Sequence, residues 1–166
     1  MSKKNKDNKF TQLVQTNKLK FYKTAKAILK NDDDVYDAIQ NALMSMYQNF
    51  NNLKEQKYFA TWGVRIVINK CYDLLRKNKK IELYDELEEC VTEDNYNLDY
   101  NGINKLVNGL DKNLYLIVIL YYYDDFSIKE IAEVLEMPEG TIKSKLSKAR
   151  STLRKNLEKE GICYGR

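Results

Sequence analysis

The sequence predicts an all-α protein: two small helical domains joined by a flexible acidic linker, the second domain a helix-turn-helix. Three observations carry that expectation. The 166 residues hold one Pro and six Gly, too few breakers for an architecture of strands and tight turns. Apolar residues recur every three or four positions through most of the chain, the spacing of one helix face. Charge is segregated: residues 1 to 80 carry seventeen Lys/Arg against seven Asp/Glu, residues 81 to 104 none against eight, and residues 105 to 166 eleven against nine.

The first domain is expected over residues 1 to 80. Phe10, Leu13, Val14, Phe21, Ala25, Ile28 and Leu29 mark one amphipathic helix. Asn31 to Asp34 offer N-caps for a second, with Val35, Ile39, Ala42, Met46 and Phe50 inward. The polar stretch NNLKEQK, residues 51 to 57, breaks the pattern. A third helix follows, with Phe59, Trp62, Gly63, Ile66, Val67 and Leu74 on one side. Thr61, Arg65, Asn69, Asp73, Arg76 and Lys80 lie on the other. Residues 81 to 104, IELYDELEECVTEDNYNLDYNGIN, lack a sustained period and repel themselves, which reads as a tether.

The second domain is expected over residues 105 to 166. A strongly apolar helix runs to residue 123, DDF turns the chain, and Ser127 with Glu130 forms a capping box for the next helix. EMPEG interrupts at residues 136 to 140, and Pro138 suits the first position of the last helix. There Ile142, Leu146, Ala149, Leu153 and Leu157 face inward, while Lys143, Ser144, Ser147, Lys148 and Ser151 stand opposite. Two helices joined by a tight turn, the second polar and cationic outside, make a helix-turn-helix.

Several function classes fall away. The chain contains no His, so the usual general base is missing, and neither a Gly-rich phosphate loop nor a nucleophile motif occurs. A catalytic role, a metal, a cofactor and a small-molecule substrate are therefore not expected. Cys71, Cys90 and Cys163 are odd in number and widely spaced, which fits free thiols in a reducing cytoplasm. The N-terminal MSKKNKDNKFTQL has no apolar stretch behind its cations, and the longest apolar run, LYLIVILYYY at residues 114 to 123, is about half a bilayer crossing. A cytoplasmic protein without membrane insertion is the expectation.

The strongest local signal is TIKSKLSKARSTLRK, residues 141 to 155, with six Lys or Arg and no acid. A helix needing only solubility would mix signs, because Glu and Lys four residues apart support each other. Phosphates supply the missing counter-charge, and Ser beside Lys allows close approach to a base edge. The bland alternative is base composition, since Lys outnumbers Arg and Asn and Tyr are abundant.

SIKEIAEVLEMPEGTIKSKLSKARSTLRK resembles the promoter-reading helix-turn-helix of bacterial RNA polymerase sigma factors, particularly the two-domain extracytoplasmic-function (ECF) class. Upstream, DDDVYDAIQNALMSMYQNF resembles the helix that those factors dock on core polymerase, and YFATWGVRIVINKCYDLLRKNKK resembles their helix for the minus-ten element. The resemblance covers nearly the whole chain. It implies core polymerase docking through Asp37, Gln40 and Asn41, with Leu43 at the large apolar position. It implies minus-ten contacts through Arg65, Asn69 and Arg76, and a pocket for an extruded base in the loop from Phe50 to Tyr58, where Asn51, Asn52, Lys54 and Tyr58 are the candidates. In the second domain it implies minus-thirty-five recognition by Lys143, Ser144, Ser147 and Lys148. Tyr36, Asn41, Asp111 and Glu136 depart from the family pattern. An anti-sigma factor is a common partner in the class.

Read physically, Arg150, Arg154 and Lys155 suit phosphate. Arg65 clamps phosphate or is a surface cation, and Asn69 reads a base edge or caps an interface. Asp73 orients Arg76 or Asn69, because a carboxylate facing phosphate is repelled. Phe59 and Trp62 are within reach of the loop but have the spacing of core aromatics. The expected function is a sigma subunit that binds core polymerase and directs promoter recognition, melting and initiation. The alternatives are a conventional helix-turn-helix regulator acting as a dimer, and a modulator that binds polymerase without reading DNA.

Overall fold

A computed structural model of the chain describes residues 3 to 82 and 110 to 159. All regular structure among the described residues is helical. The chain divides into two compact units, Met1–Glu89 and Cys90–Arg166, each treated by itself below. The predicted linker and residues 105 to 109 of the second domain fall largely outside the described residues.

The first unit is built on α1 (Lys3–Ile28), α2 (Asp32–Asn49) and α3 (Phe59–Glu82). Helix α1 starts two turns before the predicted apolar stripe because its first turns are tied down. The Tyr47 hydroxyl donates to Asp7 Oδ1 at 2.6 Å, and the Phe10 ring packs edge-on against Tyr47 and Phe50, each 5.3 Å away. The turn into α2 is held by Lys26, 7% exposed, whose ammonium reaches Asp32 at 2.5 Å. Asn31 caps α2 as expected, its side chain accepting from the Asp33 N–H at 2.8 Å.

The inward face of α2 is Val35, Ala38, Ala42 and Met46, with Ile39 only half-buried. Helix α3 buries Phe59, Val64, Val67, Ile68 and Cys71, whereas Trp62, Ile66 and Leu74, expected inside, are half-buried. The buried stripe is wider than the periodicity suggests because α3 packs against both α1 and α2. Burial pushes the Cys71 thiol up to about 12, so it stays protonated and unreactive. Cys90 and Cys163 lie outside the described residues.

In the second unit α4 (Lys112–Val118) begins at Asp111, whose side chain accepts from the Asn113 N–H at 2.8 Å. The departure from Pro at that position is thus compensated by a cap. The helix then widens into a π turn, Ile119–Tyr123, closed by the Asp124 N–H donating to the Ile119 carbonyl at 3.1 Å. Asp125 follows with a φ of 57° and Phe126 is buried, so DDF does turn the chain.

Helix α5 (Ile128–Leu135) opens with the predicted capping box. The Glu130 N–H donates to Ser127 Oγ at 3.2 Å, and the Ser127 N–H to Glu130 Oε2 at 2.9 Å. It ends at Glu136, left-handed at φ 54°, a conformation that Gly adopts more cheaply. Helix α6 (Glu139–Lys159) starts one residue later than expected. Pro138 therefore precedes it, its carbonyl accepting from the Thr141 and Ile142 N–H groups at 2.9 and 3.2 Å. Leu114, Leu120, Ile131, Ile142, Leu146 and Ala149 are buried, while Leu153 and Leu157 are half-buried.

One close approach organises the first unit. A Cβ at Gly63 would lie 2.7 Å from Cε1 and Cζ of the buried Phe21 ring, whereas one at Gly140 would meet nothing within 4 Å. Gly63→Ala should therefore destabilise the first unit by about 1–3 kcal/mol through overpacking. Gly140→Ala, in an open helical site, should not lower stability. Urea unfolding monitored at the single Trp62 and by circular dichroism tests both, and equal midpoints for the two variants would contradict the packing.

Candidate nucleic-acid interface

The cationic helix presents the expected side. With Ile142, Leu146 and Ala149 buried, helical geometry turns Lys143, Ser144, Ser147, Lys148 and Ser151 outward, and all five are exposed. Ser144 Oγ donates back to the Thr141 carbonyl at 2.9 Å, which keeps this side chain short against the helix. Arg150, Arg154 and Lys155 are also exposed. Arg150 is anchored: its Nε donates to the Tyr122 hydroxyl at 2.8 Å, using one of the guanidinium's five N–H donors. That hydrogen bond raises the Arg150 pKa further. Tyr122, in the π turn, thus serves an exposed polar role, while Tyr121 is half-buried with its ring 4.9 Å from that of Tyr122.

In the first unit Arg65, Asn69, Asp73 and Arg76 are exposed along one side of α3. Asp73 forms an ion pair with Arg76, the first of the two partners expected for it. The outward side of α2 carries Asp37, Gln40 and Asn41, all exposed. The Asn41 amide folds along the helix to donate to the Asp37 carbonyl at 2.9 Å. Leu43 is half-buried, and the exposed apolar groups beside this polar set are Tyr36 at 54% and Met44 at 62%. Asp37 and Asn41 also border a cleft of about 350 Å³ shared with Lys70, Asp73 and Lys77 of α3.

The loop between α2 and α3 folds into two short 3-10 turns, Phe50–Asn52 and Gln56–Tyr58. Asn51, Asn52, Lys54 and Tyr58 are exposed, but they do not all line one cleft. Asn51 and Lys54 line a cleft of about 490 Å³ together with Lys9, Phe50, Leu53, Glu55 and Gln56. Asn52 and Tyr58 are not among its walls; Asn52 leans on Asn49 at 3.4 Å, and Lys57 lies over the Tyr58 ring at 4.8 Å. Phe59 is 1% exposed within a chain of rings that includes Phe10, Phe21, Phe50 and Trp62. Phe59 is accordingly a packing residue, with the half-buried Trp62 ring beside it.

Sequence reasoning did not bring Lys9 or Met44 to these surfaces. For Met44 a signal existed, since it lies four residues beyond Gln40 on the same helical face. Lys9 is more than forty positions from the loop and only the fold joins them.

Comparisons with known proteins find one matching family model in each unit. Residues 13–81 match the family described as Sigma-70 region 2, and residues 101–153 match Sigma-70, region 4. The chain is 28% identical over 153 residues to RNA polymerase sigma factor SigV of Bacillus subtilis, covering 90% of this chain and 91% of that one. It is 29% identical over 174 residues to ECF RNA polymerase sigma factor SigW of the same organism, covering 93% and 92%. In fold it is similar to the sigma factor RpoE from Bartonella quintana, solved with the anti-sigma factor NepR. The TM-score there is 0.74 at 23% identity, over 90% of this chain and 97% of that one.

Proposed function

The chain belongs to the sigma-70 family as an ECF sigma factor, and on that footing we propose how its surfaces divide the work of starting transcription. A sigma factor binds core RNA polymerase and directs initiation at chosen promoters, and the family's role is that of a non-catalytic subunit. The observation that carries the residue assignments is the outward side of α6. Its cations and serines are exposed over a buried apolar stripe, and residues 141 to 155 offer no acid to neutralise them.

In this reading residues 105 to 166 lay Lys143, Ser144, Ser147 and Lys148 in the major groove of the minus-thirty-five element. Lys lacks the bidentate fork of Arg, so the serines matter by letting the helix backbone come close. Arg150, steered by Tyr122, and Arg154 hold phosphates. Residues 1 to 80 serve the minus-ten element. Arg65, Asn69 and Arg76 follow the strand, and the loop of Asn51, Asn52, Lys54 and Tyr58 receives an extruded base. Extrusion costs a few kcal/mol of lost stacking, which contacts in such a pocket repay without nucleotide hydrolysis.

Asp37, Gln40 and Asn41 on α2 dock core polymerase, with Tyr36 and Met44 supplying apolar area beside them. Each DNA grip is modest and salt-sensitive by itself, so both need one scaffold, and core polymerase is that scaffold. Residues 81 to 104 tether the two. The RpoE–NepR pairing supports an anti-sigma factor as a further partner of this chain. No described helix is long and apolar enough to cross a membrane, and the cytoplasm is where a subunit acting with core polymerase on promoter DNA would work.

Purified chain with core polymerase should yield run-off transcripts from a subset of sheared genomic DNA. Lys148→Glu should lower that promoter use by about ten- to a hundredfold, the worth of one good base contact, while core polymerase still co-purifies. Operator binding as a dimer with no transcript would instead favour a conventional regulator.

Replacing Asp37 and Gln40 together by Ala should weaken core association by about tenfold or more, on the scale of lost polar interface contacts. Equilibrium titration of labelled core reads this directly, and an unchanged affinity would move the docking surface off α2.

A further inference from the structure

The cleft beside the loop is walled on one side by α1, which the proposed division of labour leaves idle. Its chemistry matches the parts of a nucleotide. Phe50 and Leu53 offer apolar contact, Asn51 and Gln56 offer amides with both donor and acceptor atoms, and Lys9 and Lys54 offer ammonium groups. The one acid on the cleft, Glu55, is paired with Lys57 at 2.7 Å. About 490 Å³ is room for one nucleotide rather than a stacked duplex step.

The helix backbone that carries Lys9 is also held in place. Two residues before it, Asp7 accepts the Tyr47 hydroxyl at 2.6 Å. One residue after it, the Phe10 ring packs on Phe50, itself a wall of the cleft, and on Phe59 at 6.0 Å. A cation carried by a fixed backbone at a preformed cleft loses less entropy on meeting an anion.

We propose that Lys9 of α1 completes a single-nucleotide cleft with the loop, binding the phosphate of the extruded nucleotide while Asn51 and Gln56 face its base. The inference rests on the reading of the loop as the base-receiving element and adds α1 to it. The occupant is a nucleotide within a DNA single strand, whose neighbouring phosphates Lys54 meets at the cleft mouth.

The test uses the full chain and short fluorescein-labelled random-sequence DNA, single-stranded and duplex, titrated across salt. Lys9→Ala should weaken single-strand binding about three- to tenfold and flatten its log–log salt slope by about 0.7, the signature of one lost phosphate contact. Lys9→Arg should restore both, duplex binding should be unchanged, and Lys18→Ala, an exposed cation elsewhere on α1, should have no comparable effect. Circular dichroism melting confirms that each variant is folded. Unchanged single-strand binding in Lys9→Ala, when Asn51→Ala and Lys54→Ala do weaken it, overturns the role of Lys9 alone. If Asn51→Ala and Lys54→Ala are silent as well, the loop reading falls with it. Displacement of the strand by free deoxynucleoside monophosphates at matched phosphate concentration would overturn the strand as occupant.

Discussion

Like charges gathered on one side of a helix repel, and a protein can keep such a surface only if the other side of that helix is firmly seated. In α6, Lys145 with Lys148, Arg150 with Arg154 and Lys155 with Lys159 are close cation pairs, costing a few tenths of a kcal/mol each. Burying Ile142 and Leu146 stabilises by roughly 1.5–3 kcal/mol per side chain. Packing therefore wins, and the cations remain a standing attraction for phosphate. Without the seating, the charge on this helix would favour fraying; without the charge, the seating would make an ordinary core helix.

The elements that seat α6 are themselves distorted. Asp125 and Glu136 both have positive φ and bracket α5, and the π turn precedes them. For a residue with a Cβ the left-handed conformation costs about 1–2 kcal/mol. These turns set the angle at which α5 delivers the chain to α6, so the strain is spent on the direction of the cationic helix. The π turn also brings the Tyr122 hydroxyl to Arg150, coupling an irregular backbone to the orientation of an exposed guanidinium.

The first unit works through aromatic packing. Phe10 from α1, Phe50 from the loop and Phe59 from α3 form one ring cluster, and Gly63 lets the Phe21 ring approach the α3 backbone. Through the shared Phe50 ring, the start of α1 and the loop are parts of one packed body. A loop tethered only at its ends would lose much of its contact energy to ordering when it took up a base. A loop whose first residue is buried has met part of that cost in folding.

Much of this was legible in the sequence because period and charge are local properties. The helix-turn-helix, the Ser127 capping box, the Asn31 cap, the all-α class and the outward set of α6 follow from residues within a few turns of one another. The ECF sigma-70 family followed from motif order along the chain. Local pattern misjudged the width of the α3 stripe, where Val64, Ile68 and Cys71 are buried ahead of Ile66 and Leu74, because two neighbours rather than one cover that helix. It also left out Lys9 of α1, which borders one cleft with Asn51, Lys54 and Gln56 of the loop. The sequence by itself determined which helices form and which carry unbalanced charge, since both are settled within a few residues. Only the tertiary structure decided which side chains share a space, because the Phe10 to Phe50 contact that draws Lys9 to the loop spans forty residues and leaves no trace in any local period.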